Sequence, residues 1–202
     1  PMKRLIATLS LLAMLTACQT SSTKENPLLT ESTLDYQAPD FSKIRPAHFI
    51  PAIEEGIRIQ LAEIDSITSN TAAPTFENTV LAYEKSGRLL ARATSILSGL
   101  IGADGTEELQ KIDEETTPML SAHHDALLLN EKLFARIKAV YDQRSSLQGE
   151  DLRLTEVLYD QFVHEGALLS AADKEALKKI NSEIAVLQTK FTNQVNAGTK
   201  EA

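Results

Sequence analysis

Four histidines, one cysteine and several acid pairs are the residues with which this chain could do chemistry. The run His164-Glu165-Gly166-Ala167-Leu168 begins like a metal-binding helix. A zinc-protease helix needs His-Glu-x-x-His, because two imidazoles one turn apart share a face and can hold one ion. Position 168 is leucine, which has no ligand atom, and Gly166 would weaken the helix holding the pair. The run reads better as a helix C-terminus with Gly166 near the cap. His123 and His124 stand beside Asp125, but adjacent helical positions diverge by about 100°, so the two rings do not easily share an ion. One is read as surface and the other as packed or hydrogen-bonded. The acid pairs Glu54-Glu55, Glu107-Glu108 and Glu114-Glu115 read as solvated faces. Cys18 closes an apolar stretch and has no folded pocket around it, so it does not read as a nucleophile. No glycine-rich phosphate loop is present. The sequence therefore assigns no catalytic residue and no metal ligand within this chain.

Composition narrows the classes further. The 202 residues are 43% hydrophobic and 24% charged, ordinary for a folded chain. There is no Trp and few aromatics, and the balance of Ala, Leu, Glu and Lys leans towards helix. The net charge of −8 comes without any Lys/Arg cluster, so a nucleic-acid partner, which needs a basic face, is not expected. One cysteine excludes an intramolecular disulfide and a multi-cysteine zinc site.

The lone thiol reads as part of an address. Lys3 and Arg4 precede an apolar run over 5–17, shorter than the ~20 residues that span a bilayer. Residues 1–17 have the shape of a signal peptide. Leu15-Thr16-Ala17-Cys18 resembles the bacterial lipobox. That resemblance implies cleavage before Cys18 and acylation of its sulfur and new amine, an anchor of more than one chain. Gln19 after the cysteine then implies export to the cell envelope, at the periplasmic face of the outer membrane. Residues 18–46 read as a lipid-anchored tether and extended lead-in, polar at first and then punctuated by Pro27, Pro39 and Pro46.

From residue 47 to 202 the apolar residues recur at helical spacing. Ile53, Ile57, Leu61 and Ile64 form one stripe, ended by the breaker cluster over 69–74. Thr75 is a plausible N-cap for a long second pattern through Phe76, Val80, Tyr83, Leu90, Ile96, Leu97 and Leu100, with Gly99, Gly102 and Gly105 marking its end. Thr106 opens a third helix with Leu109, Ile112, Met119 and Leu120 inward, which Pro118 should kink or split. Asn130 caps a fourth, carrying Leu133, Phe134, Ile137 and Tyr141. A fifth holds Leu154, Val157, Leu158 and Phe162. The sixth opens on a capping box, Ser170 to Asp173. It continues through Leu177, Ile180, Ile184, Leu187, Phe191 and Val195 at 3-4-3-4-4 spacing. No segment alternates long enough for a strand. Short connections predict an all-α, antiparallel assembly whose apolar stripes face one another.

These stretches resemble a known family. "NPLLTESTLDYQAPDFSKIRPAHFIPAIEEGI" over 26–57, "PTFENTVLAYEKSGRLLARA", "LSAHHDALLLNEKLFARIKAVYD" and "RLTEVLYDQFVHEGALLSAADKEALKKINSEIAVLQTKF" are together similar to the start of the peptidyl-dipeptidase Dcp-like zinc metallopeptidases, grouped with oligopeptidase A and thimet oligopeptidase. The resemblance implies a nearly all-helical enzyme with a deep channel, whose N-terminal helices form part of one wall. It implies zinc as the cofactor of the full-length enzyme, short peptides as substrates, and metal-assisted hydrolysis that releases C-terminal dipeptides. The family's zinc motif lies far downstream of the matched part. The chain is thus expected to be a truncated N-terminal region, inactive alone, that binds no zinc itself. The alternative is a non-catalytic helical lipoprotein acting as a binding or interaction module.

Overall fold

A computed structural model describes residues 26–200. The leader and Cys18 lie outside the described residues. Within them the chain is helical, without a strand. The principal elements are α1 (Phe49–Thr68), α2 (Leu81–Glu84), α3 (Arg88–Asp104), α4 (Glu107–Leu128), α5 (Glu131–Asp142), α6 (Gly149–His164) and α7 (Ala171–Lys200). The all-α architecture read from the sequence is the one observed.

Local chemistry starts these helices where the sequence places them. Thr106 Oγ1 accepts from the Leu109 amide and Asn130 Oδ1 from the Leu133 amide, satisfying N-terminal donors that have no intrahelical acceptor. Thr75 and Asn78 form a reciprocal capping box at the π turn Phe76–Val80 that leads into α2. At α7 only half of the expected box forms: Ser170 Oγ accepts from the Asp173 amide, while the Asp173 carboxylate accepts from the Ser170 hydroxyl rather than from the Ser170 backbone amide.

The long second pattern is not one helix. Gly87 at φ 71° breaks it between α2 and α3, a left-handed conformation that glycine adopts without steric cost. Glu63 of α1 accepts the Gly87 amide at 2.8 Å, so a carboxylate caps α3 from a neighbouring helix, where the dipole favours it. Gly99 and Gly102 lie inside α3, and only Gly105 ends it. Pro118 sits exposed within a single α4 that is not split.

Two apolar clusters hold the body together. One gathers Ile64 and Ile67 of α1 with Val80, Leu133, Phe134, Ile137, Leu158 and Phe162. Phe162 is its centre, with Tyr83 edge-on at 5.6 Å and Phe134 stacked at 6.1 Å. Burial pushes the Tyr83 hydroxyl up to about 12, with Glu84 adding to the shift. The other cluster joins Phe49, Ala52 and Ile53 of α1 to Leu90, Ala93 and Leu97 of α3 and to Leu109 and Ile112 of α4. Helix α1 serves both. Where it crosses α3, Gly56 faces the Leu90 backbone, and a Cβ there would stand 2.8 Å from the Leu90 Cα. Leu61, expected on the inner stripe of α1, is exposed, and so is Val157 of α6. Ala52 and Gly56 take the buried positions instead, because close helix approach favours small residues over large ones.

Residues 26–46 of the predicted tether and lead-in are docked on the body from Asn26 onward. Leu28 is buried in the second cluster. Asn26 donates to the His48 carbonyl at 2.8 Å and accepts the Leu28 amide, and Arg92 of α3 donates to the Leu28 carbonyl.

Candidate functional site

Helix α7 is the longest described element, and none of its described residues belongs to either apolar cluster. It is fixed to α4 by polar groups. Asn181 Nδ2 donates to Asp125 Oδ1 at 2.7 Å. The Thr117 and Thr189 hydroxyls meet at 2.9 Å. Asn193 Nδ2 donates to Glu114 Oε1 at 3.0 Å. Near its start, buried Lys174 reaches Glu131 of α5 at 3.3 Å. Residues 181, 189 and 193 climb α7 as 125, 117 and 114 descend α4, the register of an antiparallel pair.

This arrangement turns most of the apolar row of α7 away, with Ile184 alone also bordering the α4 side. Ile180, Ile184 and Val195 are about half exposed, Leu187 is 65% exposed and Phe191 68%. At 3.6 residues per turn the row lies about 140° around the helix from the polar seam. The expectation that every apolar stripe faces another therefore fails at α7. The seam is held by hydrogen bonds instead: a neutral one such as Thr117–Thr189 is worth roughly 0.5–1.5 kcal/mol and one to a carboxylate, such as buried Asp125, roughly 1.5–3 kcal/mol. The spacing itself carries a signal for this. Residues 177, 180, 184, 187 and 191 keep a strict 3-4 alternation, the narrow seam of a helix meeting one further helix. Among the described residues no helix covers it.

Between α4 and α7 runs an open groove of about 390 Å³, lined by Thr117, Ser121, His124, Asn181, Ile184 and Gln188 among others. The polar groups among them can donate and accept hydrogen bonds, while Ile184 adds an apolar patch, and no nucleophile–base pair is formed among the described residues. His123, one residue earlier, is buried and turned the other way. Its Nε2 lies 2.7 Å from Gln60 Oε1 of α1, and since a carbonyl oxygen only accepts, Nε2 carries the proton. Burial, with His124 as a lesser cause, holds its pKa below the usual histidine range. His124 is exposed. The pair thus divides as the sequence implies, one ring packed and hydrogen-bonded, the other on the surface.

His164 ends α6, and Gly166 follows at φ 98°, the cap geometry expected of that run. Leu168 is exposed one turn beyond. Glu107, Glu108, Glu114 and Glu115 are exposed. Among the described residues no three His, Cys, Asp or Glu side chains gather as a metal site would require, and the donor set does not fit zinc: the histidines diverge, and the buried one is already engaged. No described helix is long and apolar enough to cross a membrane.

Comparison with known proteins accounts for both ends of this picture. Residues 2–19 match the model of the prokaryotic membrane lipoprotein lipid attachment site. The chain is 44% identical over 177 residues to the dipeptidyl carboxypeptidase of Salmonella typhimurium, covering 87% of this chain and 26% of that protein. It is 42% identical over 180 residues to the dipeptidyl carboxypeptidase of Escherichia coli, with 88% and 26% covered. Oligopeptidase A of Escherichia coli is 24% identical over 172 residues, covering 84% of this chain and 25% of that protein. The chain spans about a quarter of the length of the curated relatives it matches. Its first residues match a lipoprotein attachment-site model, and over most of its length the chain is homologous to the N-terminal part of the dipeptidyl carboxypeptidase and oligopeptidase A family.

Proposed function

We propose that this chain is the N-terminal helical wall of a zinc metallopeptidase that admits short peptides and removes C-terminal dipeptides, anchored to the bacterial cell envelope through acylated Cys18. The catalytic zinc would be held by residues outside this chain, since the donors present do not fit it, and no step of hydrolysis is assigned to the residues here. Their contribution is a packed wall. Helices held by two apolar clusters do not deform to admit a folded protein, whereas an extended peptide passes along a rigid surface. The uncovered row Ile180, Ile184, Leu187 and Phe191 is the observation that carries the reading. A contiguous exposed apolar face marks a contact surface, and the three quarters of each relative beyond the matched part supply the polypeptide to cover it.

The test joins this chain to the remaining three quarters of the Escherichia coli dipeptidyl carboxypeptidase. The joined protein, supplied with zinc, cleaves a short peptide, and the 202-residue chain alone does not. Turnover by the chain alone, or a soluble joined protein without turnover, refutes the wall assignment. Cys18→Ser releases the exported protein from the membrane fraction if the anchor is as proposed.

A further inference from the structure

The short stretch of chain between Cys18 and Asn26 limits how far the body can stand from the bilayer. Asn26 is buried and hydrogen-bonded to the His48 carbonyl, so it is part of the packed body. From Cys18 to Asn26 is eight residues, which reach at most about 28 Å even when fully extended. Asn26 therefore stays within about 28 Å of the anchor point whenever Cys18 is acylated, and the residues that follow it can reach the headgroups.

Those residues present an unusual surface. Leu34, Tyr36 and Phe41 are all exposed, Tyr36 completely, within one run over 34–41. Tyr36 and Gln37 adopt φ of 58° and 56°, a region that non-glycine residues enter rarely. The run is tied into successive turns, Gln37 N to Leu34 O at 2.9 Å and Phe41 N to Pro39 O at 3.1 Å, so these side chains are held outward by the backbone. Tyrosine presents an apolar ring and a polar tip, the form that favours a membrane–water interface. Charge does not oppose contact and does not drive it. Lys43 pairs with Asp40 at 2.8 Å and Arg88 with Glu31 at 3.5 Å, leaving Asp35 and Arg45 near balance.

We propose that the turn over 34–41 is a bilayer-contacting edge, with Leu34, Tyr36 and Phe41 seated among the lipid headgroups and upper acyl chains beside the Cys18 anchor. It rests on the reading of Cys18 as acylated. Acyl chains alone hold the protein to the membrane but leave it free to swivel, and a second, apolar point of contact sets its orientation. Because the contact is apolar, added salt leaves it in place.

The chain has no tryptophan, so single introduced tryptophans report without background. Tyr36→Trp and Phe41→Trp are made in the full chain, exported and acylated in Escherichia coli. Each is reconstituted in phosphatidylethanolamine–phosphatidylglycerol vesicles containing lipids brominated on the acyl chain. Ser69→Trp is the control. It sits just past the far end of α1, about 30 Å along the helix from the lead-in. Mass measurement of the N-terminal peptide reports acylation separately. We expect blue-shifted emission and bromolipid quenching at least about twofold stronger for positions 36 and 41 than for the control. Acylated protein whose reporters at 36 and 41 are quenched no more than the control overturns the bilayer contact and leaves the anchor standing. A blue shift without bromolipid quenching means that protein covers the turn, and overturns it too. Unmodified Cys18 refutes the anchor, and the contact with it.

Discussion

The exposed row on α7 makes a quantitative prediction that separates a surface awaiting a partner from one that is merely loose. In this chain Phe191 keeps only about a third of its side chain from water, at 68% exposure. Fully burying a phenylalanine is worth about 1.5–3 kcal/mol, so Phe191→Ala should cost the 202-residue chain under about 1 kcal/mol. Leu187→Ala, at 65% exposure, should cost a similarly small amount. Phe162→Ala removes a ring with 0% exposure, stacked on Phe134 and met edge-on by Tyr83, and should cost about 3–5 kcal/mol. In the protein extended by the rest of a relative, Phe191→Ala should instead cost about 2–4 kcal/mol, because the cavity is then enclosed on all sides. Urea unfolding followed by far-ultraviolet circular dichroism measures all of these, with the slope of each transition checked for constancy. Equal costs for Phe191→Ala in the short and extended proteins would refute the idea that the row is an interface. A cost in the short chain rivalling that of Phe162→Ala would show that α7 packs differently from the arrangement described.

Further substitutions test the positioning of the helices. Gly56→Ala sets a methyl 2.8 Å from the Leu90 Cα, and should destabilise by about 1–3 kcal/mol through separation of α1 from α3, whereas Gly99→Ala, which meets nothing within 4 Å, should be neutral or stabilising by about 0.5–1 kcal/mol; thermal unfolding of the two variants checks the contrast. Asp125→Ala leaves Asn181 without its acceptor in a part-buried seam and should cost about 1–3 kcal/mol, with the double variant Asp125→Ala/Asn181→Ala less than additive in a mutant cycle. His123 has a folded pKa below its unfolded one, so the unfolded state takes up the proton first; the stability it confers is complete above about pH 6.5 and is lost as pH falls through its folded pKa. His123→Asn should flatten that acid limb in urea midpoints measured across pH, and an unchanged limb would contradict the assignment.

How much of this was legible depended on the range of the interaction. Caps were readable because Thr75, Thr106, Asn130 and Ser170 act within three residues of themselves. The divided fate of His123 and His124 followed from helical geometry alone. Gly87 was passed over because a helical pattern on both sides concealed a break that depends on Gln60 and Glu63, far away in sequence. Leu61 reads as a core residue and Gly56 does not, for one reason. A periodic count rewards large apolar residues, while a close helix crossing selects small ones. The α7 row was found residue by residue, yet its direction was set by Asn181, Thr189 and Asn193, whose partners lie on α4 and cannot be named from α7 alone. The candidate site was thus visible as a pattern and invisible as a surface.

The seam between α4 and α7 has one further consequence. Its three side-chain pairs recur at uneven intervals, 117 to 125 on one helix against 181 to 189 on the other, then a shorter step to 114 and 193. Sliding one helix past its neighbour by a single turn would separate all three of these pairs at once. Greasy surfaces permit such slippage, but this seam behaves like the teeth of a key. Whatever meets α7 from the other side encounters knobs at a fixed height, so the polar contacts meter out the geometry of an apolar joint they never touch.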